Sequence, residues 1–367
     1  MTSDLFYIFS GLALLVVGAQ FLVRGSSRLA MAIGISPLVV GLTIVALGTS
    51  APELAVSIQS CLAGQTNIVM GNVVGSNIYN VLFILGLCAV ITPMVVAPQL
   101  IRLDVPIMIG VSILLYYMAW DGRISRVDGV LLLVGIVSYV VFVIRQSRKE
   151  TKKVQEEYKE DMQEGESADR RWWLHGVYIL GGLVLLTFGS DFLVKGAVSI
   201  AKGLGVSDLI IGMTVVTLGT TAPELTSSLV ASYRGERDIA VGNIVGSNIF
   251  NILAVLGVGG LVSPSGITVD PAMLNFAIPV MIAVAISCLP IFFAGHAIRR
   301  WEGFVFLAYF GLYMAHLYNE AVNDPQMQVY EGHAYWFVVP LTVIAIGVSV
   351  WNESKTKDGK MEMPTPK

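Results

Sequence analysis

The chain carries one unit twice, and each copy contains an odd number of apolar runs long enough to cross a membrane. A shift of 171 positions aligns FLVRG (21–25) with FLVKG (192–196), GTSAPEL (48–54) with GTTAPEL (219–225), and GNVVGSNIYN (71–80) with GNIVGSNIFN (242–251), without a gap. Roughly half of positions 34–86 match their partners, the mark of a duplication. Apolar runs fall at about 5–23, 37–60, 68–92, 104–120, 128–144, 174–194, 208–231, 239–262, 272–294, 302–318 and 335–351. A span needs about 20 such residues. Five runs lie in the first copy, so the second must enter the bilayer from the opposite side. The fold class expected is therefore an all-α polytopic membrane protein: two inverted five-helix repeats forming a ten-helix core, plus an eleventh C-terminal helix. Inverted repeats meeting near the midplane are a recurring build of secondary transporters.

Only 13% of the residues are charged, about half the share of a soluble domain, which excludes a soluble enzyme. The expected units are a first half at 1–145, a charged linker at 146–171, a second half at 172–318 and an accessory span and tail at 319–367. The linker sets eight acids against seven bases with almost no apolar residue, so it is read as solvated. With the amino terminus outside and the carboxyl terminus inside, 19 of the 23 Lys and Arg fall in inside connections, as the positive-inside rule requires. No basic stretch precedes the first run, so no cleaved signal peptide is expected. The net charge of −3 argues against a nucleic-acid partner. Cys61, Cys88 and Cys288 are scattered, with neither disulfide nor metal-knuckle spacing.

Glu53 and Glu224 sit mid-span at equivalent positions of the two copies. An acid at the bilayer centre costs about 2.5–3.5 kcal/mol on insertion scales, so such residues face a cavity and partners; two at matched positions imply one shared site. Pro52 and Pro223 precede them. Each removes a backbone donor and clashes with the carbonyl four residues back, that of Gly48 or Gly219, so each helix should break there. Freed carbonyls, the hydroxyls of Thr49, Ser50, Thr220 and Thr221, and the carboxylates make an all-oxygen set suited to hard cations. Asn72, Ser76 and Asn80, and likewise Asn243, Ser247 and Asn251, are spaced four apart and form a polar stripe expected to line the same cavity. Gly71, Gly75, Gly242 and Gly246 should let helix backbones approach closely. Asn77 and Asn248, turned about 100° away, are expected to tie the helix to a neighbour.

The paired GTSAPEL…GNVVGSNIYN and GTTAPEL…GNIVGSNIFN stretches resemble the two alpha-repeats of the sodium/calcium exchangers, within the cation/calcium exchanger superfamily. The similarity covers about residues 5–318 and is that of a compact prokaryotic-type member, expected in the plasma (inner) membrane. The resemblance implies calcium-coordinating acids at Glu53 and Glu224. It implies further sodium and calcium ligands at Ala46, Thr49, Ser50, Ser76 and Asn80 in one half, and at Thr217, Thr220, Thr221, Ser247 and Asn251 in the other. Some exchangers carry an aspartate at one of the two positions that are Asn80 and Asn251 here.

The function expected is a secondary active antiporter exchanging calcium for sodium by alternating access at a midplane site, with spans one and six sliding across a fixed core, as the resemblance implies. A calcium/proton or potassium-dependent exchanger would use the same two glutamates. A passive channel and an intramembrane hydrolase are rival classes; no HExxH run supports the latter. No cofactor and no obligatory protein partner are expected, only the lipid bilayer and the transported calcium and sodium ions.

Overall fold

A computed structural model describes residues 2–149, 172–204, 217–293, 296–322 and 347. The long apolar runs become α1 (Thr2–Ile33), the bent pair α2 (Pro37–Thr49) and α3 (Ala51–Leu62), α4 (Thr66–Ile91), α5 (Leu100–Asp121) and α6 (Arg126–Lys149). The second half repeats the series as α7 (Trp172–Gly203), α8 (Thr217–Thr220), α9 (Ala222–Tyr233), α10 (Arg237–Val262), α11 (Met273–Phe293) and α12 (Arg300–Val322). Among the described residues seven helices are long and apolar enough to cross a membrane, and the α2–α3 pair, bent by 41°, makes an eighth. α12 occupies the tenth expected run. The eleventh run at 335–351 apart from residue 347, the start of the seventh, and the linker beyond Lys149 lie outside the described residues.

The halves are inverted, and four short strands show it. β1 (Met94–Val95) follows α4, β2 (Arg123–Ile124) joins α5 to α6, β3 (Ile267–Thr268) joins α10 to α11, and β4 (Ala297–Ile298) joins α11 to α12. Copies of like orientation would bring β1 to the side of its counterpart β3. Instead β1 pairs antiparallel with β4, Met94 opposite Ile298, and β2 pairs with β3, Arg123 opposite Thr268. Each connection thus meets one displaced by a single span in the other copy, as inversion requires.

The motif-bearing helices are the innermost. The membrane-crossing windows of α4 and α10 are 72% and 83% buried, against 33%, 28% and 28% for α1, α6 and α7. Those outer helices turn Phe6, Phe9, Val134, Val137, Leu180 and Phe188 outward, a face suited to lipid. α1 and α7 run antiparallel, backbone against backbone, through glycines seven apart: Gly11 meets Gly189, Gly18 meets Gly182, and Gly196 meets Asp4. A Cβ on Gly18 would stand 2.8 Å from the Gly182 carbonyl oxygen, so no other residue permits this approach. On α7, Lys195 and Asp191 form an exposed pair at 2.6 Å.

Candidate cation-binding site

Both motif helices break where their prolines demand it. Pro52 and Pro223 sit in the first turns of α3 and α9, two residues after Ser50 (φ −80°, ψ 5°) and Thr221 (φ −85°, ψ 1°), which occupy the bridge region at equivalent repeat positions. Glu53 and Glu224 therefore lie in the first turn of a new helix, where unsatisfied amides favour a negative charge. Both side chains are buried, at 0% and 1% exposure. The Gly219 carbonyl, which Pro223 cannot engage, accepts from the Ser190 hydroxyl. The repeat partner of Ser190 is Ala19, so the first break has no such clamp.

The halves meet at these breaks. Ser50 Oγ donates to Glu224 Oε1 at 3.2 Å, and Thr49 Oγ1 donates to Asn243 Oδ1 at 3.0 Å while lying 3.5 Å from Ser247 Oγ. The Glu53 carboxylate stands within electrostatic reach of Glu224. α2 seats against α10 because Gly242 and Gly246 carry no side chain: a Cβ on Gly246 would come 2.6 Å from the Leu42 carbonyl oxygen and 2.8 Å from Ala46 Cβ. Gly71 and Gly75 make no comparable contact with the described residues; of the segment equivalent to α2 in the second half, 208–220, residues 208–216 fall outside them.

Asn80 and Asn251 each open a π-helical turn, Asn80–Leu85 and Asn251–Val255, at the same place in the two copies. Such widened turns cluster at functional sites. Asn80 Nδ2 donates to Asn248 Oδ1 at 3.0 Å, and Asn251 Nδ2 donates to Asn77 Oδ1 at 3.1 Å. Asn77 and Asn248 are thus tied across the two halves, as their rotation on the helix predicts.

Asn72 and Asn243 seat the same stripe against the broken helices. Asn72 Nδ2 donates to the Glu53 carbonyl and to Ser57 Oγ, both at 3.2 Å. Asn243 Nδ2 donates to Ser227 and Ser228 Oγ at 3.1 and 2.9 Å. They fasten the long helix to the glutamate-bearing one. Ser57 and Ser228 escaped the sequence reading, although both stand four residues after a glutamate at matched repeat positions. In the second half Thr220 and Thr221 turn their hydroxyls back to the Thr217 carbonyl at 3.1 and 2.9 Å. The Ala46 carbonyl accepts from the Ser50 backbone amide at 3.0 Å.

Six buried oxygens of the expected site residues have no hydrogen-bond partner among the described residues: both of Glu53, Glu224 Oε2, Ser76 Oγ, and the Oδ1 atoms of Asn80 and Asn251. An unpaired buried carboxylate is costly by several kcal/mol, and no cationic side chain approaches either acid among the described residues. The set contains no sulfur and no imidazole. It has the donor chemistry of a hard-cation site with a formal charge of two negatives.

A profile of the sodium/calcium exchanger protein family matches residues 3–145 and 174–319. The chain is 37% identical over 285 residues to the putative antiporter CaxA of Alkalimonas amylolytica, covering 77% of this chain and 88% of that one. It is 36% identical over 281 residues to the inner membrane protein YrbG of Escherichia coli (strain K12), covering 75% and 84%. It is 32% identical over 349 residues to the sodium/calcium exchanger MaX1 of Methanosarcina acetivorans, covering 87% and 99%. Among solved structures it resembles the sodium-calcium exchanger NCX_Mj soaked with zero Na+ and Ca2+, at 30% identity and a TM-score of 0.73 over 86% of this chain and 99% of that one.

Proposed function

The chain belongs to the sodium/calcium exchanger family, and on that premise we propose that it is a secondary active antiporter exchanging calcium for sodium by alternating access at the site shared by its two halves. Glu53 and Glu224 coordinate calcium and balance its two charges. Ala46, Thr49, Ser50, Ser76, Asn80, Thr217, Thr220, Thr221, Ser247 and Asn251 supply the remaining oxygens for calcium or, in its absence, for separate sodium ions. The halves are residues 1–145 and 172–318, in an inner membrane, with the amino terminus outside and the carboxyl terminus inside.

The observation that carries this reading is the group of six unpartnered buried oxygens contributed by both halves. Because the same atoms serve either ion, the two exclude one another, and exchange becomes obligatory. The ion-free site leaves two bare carboxylates away from water, so the unloaded carrier resists switching between its faces.

Purified protein in sodium-loaded vesicles tests the reading. Calcium uptake should rise with the outward sodium gradient and stop when sodium is replaced by choline. Uptake driven by a pH jump alone, with sodium absent, would replace sodium coupling with proton coupling.

A further inference from the structure

Four asparagines form a reciprocal clasp between α4 and α10 that sets which atom two of them present to the ions. Asn77 Nδ2 donates to the Asn248 carbonyl oxygen at 3.2 Å and lies 3.6 Å from Met281 Sδ; Asn248 Nδ2 donates to the Asn77 carbonyl oxygen at 3.4 Å and lies 3.5 Å from Met108 Sδ. Both amide nitrogens are thereby committed to the opposite backbone. An amide with its nitrogen committed has only its oxygen left to offer, and each oxygen is taken: Asn248 Oδ1 by Asn80 Nδ2 at 3.0 Å, Asn77 Oδ1 by Asn251 Nδ2 at 3.1 Å. The consequence falls on Asn80 and Asn251. With their nitrogens held, their Oδ1 atoms are the ones left buried and unpartnered.

We propose that Asn77 and Asn248 are positioning residues of the cation site, each holding the amide of the opposite half's site asparagine so that only its oxygen faces the ions. This rests on the exchanger reading above and deepens it. A freely turning amide would present NH2, a donor that repels a cation, in part of its population; the clasp removes that population. The slot also selects the residue type. A carboxylate at position 80 or 251 would set an oxygen against the oxygen of Asn248 or Asn77, acceptor against acceptor, unless it carried a proton. The clasp therefore keeps the site's formal charge at the two negatives of Glu53 and Glu224. Residues that support a ligand without touching the metal commonly change affinity about 10–100-fold when replaced.

Calcium titration calorimetry on the detergent-purified full chain, in sodium-free buffer, tests the proposal alongside the unfolding midpoint of the ion-free protein. N77L and N248L match the amide in size and remove the accepting oxygen. Each should weaken calcium at least about tenfold in protein that remains folded and monodisperse, whereas a merely structural role would lower the midpoint and leave the affinity of the folded protein alone. N248D supplies the conservative variant: its carboxyl still offers Asn80 Nδ2 an acceptor oxygen, so Asn80 keeps its own oxygen toward the ions and calcium affinity should fall by no more than about threefold from wild type. If the leucine variants do not fold, N248D decides alone, and a tenfold loss there overturns the proposal. Leucine variants that bind as tightly as wild type overturn it too. A wild-type chain that binds no calcium overturns the exchanger reading itself, and the clasp proposal with it.

Discussion

Ser50 and Glu224 come from opposite halves of the chain, and the Ser50 hydroxyl donates to Glu224 Oε1 at 3.2 Å. The contact is not returned. Thr221, the repeat counterpart of Ser50, spends its hydroxyl on the Thr217 carbonyl, and both oxygens of Glu53 lack a partner. Two acids in matched sequence settings are thus inequivalent in space.

That inequivalence gives the first prediction. S50A should lower calcium affinity about tenfold, a loss of about 1.4 kcal/mol, since the Ser50 hydroxyl already stands against Glu224 Oε1, where it would share an ion with that carboxylate. T221A should change it by less than about threefold. Calcium titration of the two variants side by side checks this; equal losses would mean that the asymmetry has no energetic weight.

The glycine seam between α1 and α7 gives the second. A side chain at Gly18 would meet the Gly182 carbonyl oxygen at 2.8 Å, while Gly181 and Gly176 have nothing within 4 Å. G18V should lower stability by about 1–3 kcal/mol, the usual cost of overpacking. G181V should stay within about 0.5 kcal/mol of wild type. Unfolding midpoints in detergent separate the two, and a G18V protein as stable as G181V would show that the helices are not held at backbone distance.

A third concerns Asp104, fully buried at 0% exposure and held by neutral donors, Tyr139 Oη at 3.1 Å and Gln99 Nε2 at 3.2 Å. Y139F takes a donor from a buried carboxyl and should cost about 1–3 kcal/mol. D104N keeps an acceptor for the Tyr139 hydroxyl and removes the charge, so it should be the milder change. Denaturation of the two variants orders them; a D104N protein weaker than Y139F would show that the carboxylate, not its solvation, is what the fold requires.

Glu236, in the turn between α9 and α10, gives a pH dependence. Burial pushes its carboxyl above the ordinary 4.5, and the hydrogen bond from Ser27 at 2.8 Å only partly offsets that. An acid whose folded pKa is raised binds its proton more tightly when folded. Its destabilising effect is therefore absent below about pH 4.5 and grows as pH rises from there to the folded value. E236Q retains an acceptor for Ser27 and should raise the unfolding midpoint near neutral pH, with no gain near pH 4. A constant offset across that range would contradict the linkage.

The ten-helix core, its inversion and its two broken helices were legible because duplication writes the same signal twice: a proline before an acid in a long apolar run leaves few alternatives once it recurs 171 positions on. Glu53, Glu224, Ser76, Asn80 and Asn251 have buried oxygens without a hydrogen-bond partner among the described residues. Asn72 and Asn243 lie against the glutamate-bearing helices, but four-residue spacing fixes a helix face and not which neighbour fills it: the serines one turn after each glutamate hold their amide nitrogens, and Asn243 Oδ1 also receives Thr49. The π turns at Asn80 and Asn251 were hidden for a related reason, since a single inserted widening leaves the apolar periodicity on either side intact. Nor could the pattern show that Thr220 and Thr221 would turn to Thr217 while Thr49 and Ser50 reach across to the other half.

Sodium-driven calcium uptake by wild-type and E224Q protein, reconstituted side by side, tests the central claim most directly. The account predicts uptake that tracks the sodium gradient in wild type and falls at least about a hundredfold in E224Q, a loss equivalent to about 2.7 kcal/mol. Wild-type-like uptake by E224Q would contradict it.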